Sequence, residues 1–162
     1  MSNDSGVIEF AGYQWVVKSG YQRGPGPNYW SDSEQSVWVD ENGWLHLKIR
    51  KENGIWTCAE VYTKEPTCYG LHHFYTIGRL DNMDPNVVFA PFLYKDDLTE
   101  IDIEFSRWGE ANSPSNAQYV VQPFDKSGNL ERFWLALNDD ITTHYPTPNK
   151  RSIVSTGSPG RG

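Results

Sequence analysis

Residues Glu100-Ile101-Asp102-Ile103-Glu104-Phe105 alternate acid and apolar residue without a break. Successive side chains on a β-strand point to opposite faces of a sheet, so the run puts three carboxylates on one face and Ile101, Ile103 and Phe105 on the other. The apolar face calls for a core to cover it. The acidic face is harder to justify on stability alone, because like charges on one sheet face repel. Tyr94 to Thr99 ahead of the run reads as a loop feeding that strand.

The spacing permits chemistry. At a rise of roughly 3.3 Å per residue, the Cα atoms of Glu100 and Glu104 stand about 13 Å apart. Two reaching glutamate side chains can then bring their carboxyl groups to about 5 Å, the separation of a retaining glycosidase pair. Asp102, shorter and between them, would tune both, since adjacent carboxylates push one another's pKa values apart. A solvated acidic strand face, or a calcium site built from clustered carboxylates, would carry the same pattern.

With 162 residues the chain has the length of one domain and enough sequence for a sizeable core. Its net charge of −7 and the lack of a basic patch argue against a nucleic-acid partner. Fourteen glycines, ten prolines, 14% aromatics and little helical periodicity suit an all-β sandwich with many turns. No apolar run approaches the 18 or so residues of a membrane span, and the polar N-terminus lacks the apolar stretch of a signal peptide. Cys58 and Cys68 would not face each other on a hairpin turning near residues 64–67, so no disulfide between them is expected, and their spacing matches no metal motif. None of the four histidines sits at zinc-ligand spacing, and His72 and His73 would point to opposite faces of one strand. The polar turn 81–86 lacks the glycine and closing glutamate of a calcium loop, so no cofactor is expected and a structural calcium has no motif behind it.

Along the chain, strands are expected at 7–10, 13–18, 36–40, 44–50, 56–63, 69–80, 87–94, 118–122 and 133–137, besides the acidic run. Hairpin turns are expected at Glu41-Asn42-Gly43, Asn53-Gly54 and residues 126–129. The Gly/Pro-rich stretch 20–32 reads as an irregular loop. This amounts to one antiparallel β-domain of about ten strands over residues 1–145. Residues 146–162, basic and rich in Pro, Gly and Ser, read as a disordered tail.

The acidic strand, taken with Ala59-Glu60-Val61-Tyr62-Thr63, Tyr69-Gly70 leading to Phe74, Val87 through Tyr94, and Asn28-Tyr29-Trp30, resembles glycoside hydrolase family 16. These are laminarinase-, lichenase- and galactanase-like enzymes built on a concanavalin A-like jelly roll of two antiparallel sheets. The resemblance runs from about residue 10 to 144 and implies Glu100 as nucleophile, Asp102 as helper and Glu104 as general acid and base. It implies that Asn28 and Glu60 face a sugar; Trp30 and Trp108 are candidate aromatic platforms, and Gln118 is a further candidate substrate-binding residue. It also implies a secreted or extracytoplasmic setting.

Two departures stand out. Family members often carry Trp two residues before the nucleophile, where this chain has Leu98. Family domains also continue well past Thr142-Thr143-His144, so the jelly roll is expected to be incomplete at its C-terminal end, with exposed sheet edges open to self-association. The expected function is therefore a retaining endo-glycosidase that cleaves β-linked glucan or galactan. A lectin-like jelly roll that holds polysaccharide without cutting it, and an inactive fragment, are the alternatives. In each active case the partner is a polysaccharide or oligosaccharide.

Overall fold

Pairs of residues in left-handed backbone set the turns. Ala11 and Gly12, at φ +51° and +80°, join β1 (Val7–Phe10) to β2 (Tyr13–Val17). Asn53 and Gly54, at +49° and +85°, join β7 (Arg50–Glu52) to β8 (Ile55–Thr57). Two positive φ angles in a two-residue loop match the right-handed twist of the strands they connect, and Asn and Gly tolerate them best. The computed structural model describes residues 6–146. These are antiparallel β-structure with one short 3₁₀ turn at Leu80–Asn82, and no α-helix occurs among them. Among the described residues no helix is long and apolar enough to cross a membrane.

The chain divides between Tyr69 and Gly70 into two compact units. In the first, β1 and β2 form a three-stranded sheet with β9 (Val61–Thr63). Hairpins pair β3 (Gly20–Arg23) with β4 (Asn28–Trp30), β5 (Val37–Val39) with β6 (Leu45–Leu47), and β7 with β8. The stretch expected to be irregular at 20–32 thus holds a hairpin. Asp40 closes the β5–β6 turn by accepting the N–H groups of Asn42 and Trp44 at 2.9 Å each. Cys58 carries a free thiol, half buried, whose pKa burial raises.

In the second unit, β10 (Phe74–Ile77) pairs with β15 (Ile141–His144). A four-stranded sheet runs in the order β11 (Phe92–Asp96), β12 (Thr99–Phe105), β13 (Ala117–Val121), β14 (Leu130–Phe133). The core gathers Leu80, Ile103, Phe105, Ala117, Leu135 and Leu137. The two sheets meet where the Phe105 ring stands edge-on to His144, centroids 4.7 Å apart. His144 is buried and hydrogen-bonds through Nε2 to the Thr142 hydroxyl at 2.8 Å, and that hydroxyl meets Thr76 Oγ1 at 2.8 Å. Burial lowers the His144 pKa to about 4.

Several expected strands shorten, and the described residues hold fifteen short strands where about ten were expected. The strand expected at 69–80 is β10 alone, so His72 and His73 lie ahead of it. Tyr69 and Leu71 are exposed, and no apolar face at that end draws the chain into a sheet. The strand expected at 87–94 becomes β11, which starts after Pro91, a residue with no N–H for the ladder. The strand expected at 133–137 ends at Phe133, because the Leu135 N–H bonds the Asn116 side chain at 2.6 Å instead of a neighbouring strand. The expected tail lies outside the described residues except for Pro146.

Asn116 is 3% exposed and ties core segments together. Its Nδ2 donates to the carbonyls of Leu135 at 2.9 Å and Asp81 at 3.1 Å. Removing the amide leaves buried donors and acceptors unmatched, each costing the desolvation of that group. Asn116→Ala is expected to lower stability by about 2–4 kcal/mol in urea titration, whereas a change near zero would mean that the network adds nothing.

Candidate active site

The alternation in β12 has its intended consequence. Ile103 and Phe105 are 2% and 1% exposed and lie in the core, while Glu100, Asp102 and Glu104 lie on the opposite face, each partly open to solvent. β12 is an inner strand, so both its edges are occupied and its carboxylates are held in a row by two ladders. Across the β11 ladder Glu100 faces Tyr94 and Asp102 faces Phe92. Across the β13 ladder Asp102 faces Val120 and Glu104 faces Gln118, which in turn faces Arg132 on β14. Directly opposed residues share a sheet face, so the acids lie in a band with rings on one flank and an amide and a guanidinium on the other.

Electrostatics separates the three acids. Asp102, in the middle, is pushed up to about 7, first by burial and then by the charges of Glu100 and Glu104. Its interaction with the Glu100 carboxyl adds to the rise. Burial also raises the Glu100 pKa, with Asp97 and Glu104 adding to the rise. The hydrogen bonds from Asp102 and Gln122 pull the other way and favour the Glu100 carboxylate. Neighbouring carboxyls partly out of water resist ionising together, and burial at the centre of the row falls on Asp102.

Gln118 is 6% exposed and engaged at both ends of its amide. Its Nε2 donates to Glu104 Oε2, and its Oε1 accepts from Arg132 Nε at 2.9 Å. The Arg132 guanidinium lies 4.5 Å from the centre of the Trp108 ring, so one face of that ring is stacked on a cation. Trp108 adopts φ +47°, uncommon for a residue with a side chain, in the turn that follows β12. Its N–H bonds the hydroxyl of buried Ser106 at 2.9 Å, and the N–H of Gly109 bonds the Pro85 carbonyl at 2.8 Å.

Of the residues singled out from sequence, Glu100, Asp102, Glu104, Trp108 and Gln118 come together in the second unit. Asn28, Trp30 and Glu60 belong to the first. There, Lys18 Nζ holds both oxygens of Glu60, at 2.9 and 2.7 Å, and stands 4.4 Å from the centre of the Trp30 ring. Asn28 donates its side-chain amide to the Pro25 carbonyl at 2.6 Å. Among the described residues, no group of three or more His, Cys, Asp and Glu is arranged to hold a metal ion.

Sequence reasoning missed Tyr94 and Arg132. Tyr94 is exposed beside Glu100, and its hydroxyl donates to Asp97 Oδ1 at 2.8 Å. The register shifts between Tyr94 and Asp96, leaving Lys95 as a bulge. Counting back across a two-residue turn at Asp97-Leu98 would place Lys95 opposite Glu100; the bulge at Lys95 puts Tyr94 there instead, and no sequence signal announces that bulge. Leu98 sits in the turn and is 73% exposed.

The raised pKa of Asp102 has a signed consequence. An unfolded aspartate titrates near 3.8 and the folded one near 7, so between these values the folded chain binds more protons than the unfolded. The contribution of Asp102 is complete below pH about 4 and is lost as pH rises to about 7. Asp102→Asn, a neutral mimic, is expected to become steadily more stable relative to the parent from pH 4 to 7 in denaturant titrations. A constant difference would contradict the protonated Asp102. Compared with protein-family models, curated proteins and solved structures, the chain matches none of them.

Proposed function

We propose that the chain is a retaining glycosidase of the family 16 type, a concanavalin-like jelly roll that cleaves β-linked glucan or galactan. The observation that carries this reading is the band of three carboxyls on an inner strand, all on the face opposite the buried Ile103 and Phe105. A surface selected for solubility has no need to hold acids half-desolvated against their own repulsion.

In this reading Glu100 attacks the anomeric carbon. The bond from Asp102 keeps the attacking carboxylate ionised and in one rotamer. Glu104 donates a proton to the leaving oxygen and, in the second step, takes one from water. When Glu100 becomes an ester its charge disappears, and the cost of ionising Asp102 beside it falls. Tyr94 offers its exposed ring next to Glu100 as a sugar platform, in place of the family's tryptophan. The partner is a polysaccharide or oligosaccharide, and no step calls for a cofactor.

Release of reducing ends from laminarin, lichenan and agarose tests the reading. The parent is expected to cut at least one of them, and Glu100→Gln to fall to the level of buffer. Retained activity in Glu100→Gln sinks the nucleophile assignment. Retardation in a polysaccharide gel with no cleavage by the parent points instead to a lectin-like module. Tyr94→Ala is expected to raise KM by about threefold to tenfold with a smaller change in kcat, since a lost aromatic contact is worth about 0.5–1.5 kcal/mol. An unchanged KM would remove Tyr94 from the binding surface.

A further inference from the structure

We infer that Arg132 is a positioning residue that sets which end of the Gln118 amide meets Glu104, and thereby keeps the proton of Glu104 available to a leaving group. The inference rests on the glycosidase reading for its catalytic meaning, though the contacts stand apart from it.

A primary amide is ambivalent: one end only donates and the other only accepts. With its NH2 toward Glu104, Gln118 occupies Oε2 as an acceptor, and an acidic proton must then ride on Oε1. With its carbonyl toward Glu104, the same amide would accept that proton and hold it back from substrate. The two orientations have nearly the same shape, so sterics does not choose between them. Arg132 chooses. A guanidinium has donors and no acceptor, so only the carbonyl end of Gln118 can face it. The NH2 end is then turned to Glu104.

The arm itself is fixed. The Arg132 guanidinium lies against the Trp108 ring, and Trp108 is held in its left-handed turn by the Ser106 hydroxyl. Cross-strand register brings Glu104, Gln118 and Arg132 into one line over three strands. Gln118 is buried, so water cannot easily replace Arg132 as the partner of its carbonyl.

The side-chain NH2 of Gln118 reports on this directly. In a ¹H–¹⁵N spectrum its pair of signals is identified by its absence in Gln118→Met. In Arg132→Leu these signals are expected to move, while backbone signals of the core stay in place. In the same variant kcat is expected to fall about tenfold or more with KM within about twofold, as for a misplaced reacting group. Arg132→Lys, which retains a donor, is expected to recover part of both. If the Gln118 signals are unmoved in Arg132→Leu, or kcat is unchanged in a cleaving enzyme, the inference is overturned. If the parent cleaves no polysaccharide while the Gln118 signals still move, the glycosidase reading falls and the control of Gln118 by Arg132 stands.

Discussion

The second unit depends on one constraint: β12 serves two environments through a single period-two alternation. Burial of Ile103 and Phe105 prevents the strand from rotating or slipping, because a one-residue slip would send the acids into the core. The carboxylates on the other face are therefore not free to move apart. Their mutual repulsion is balanced by apolar burial a residue away, and it helps to raise the Asp102 pKa. The site is thus held by the core and does not need loops of its own to bring the acids together.

This explains which parts were legible in the sequence. Glu100, Asp102 and Glu104 were readable because alternation is a local pattern, and one strand suffices to align them. Asn53-Gly54 was readable because its turn chemistry is local too. The ends of strands were not. The chain after Phe133 leaves the ladder because Asn116, 19 residues earlier, captures the Leu135 N–H, and no window around Leu135 contains that information. Tyr94 and Arg132 were invisible for a related reason. Their places beside Glu100 and Gln118 follow from register across ladders, which depends on a bulge at Lys95 and a turn at Asp97-Leu98.

Charge pairing also reshapes how sequence candidates are read. Trp108 and Trp30 were singled out as aromatic surfaces, and each has a cation over its ring, Arg132 in one case and Lys18 in the other. Glu60 has both oxygens on Lys18. Such side chains are ordered by contacts within the protein itself. A contact of this kind lowers the entropy that binding would otherwise have to remove, and it also sets a competitor that a ligand must displace.

The buried His144 has a consequence when set beside Asp102. Between pH about 4 and about 6.5 both are neutral in the folded chain, and both would be charged once unfolded. Unfolding in that interval frees a proton from Asp102 and binds one at His144. For this pair the transition is an internal proton exchange, with no net uptake from solvent. Each of the two conceals the other, and the dependence on acidity that remains comes from groups outside the pair, such as Asp40 and Glu100.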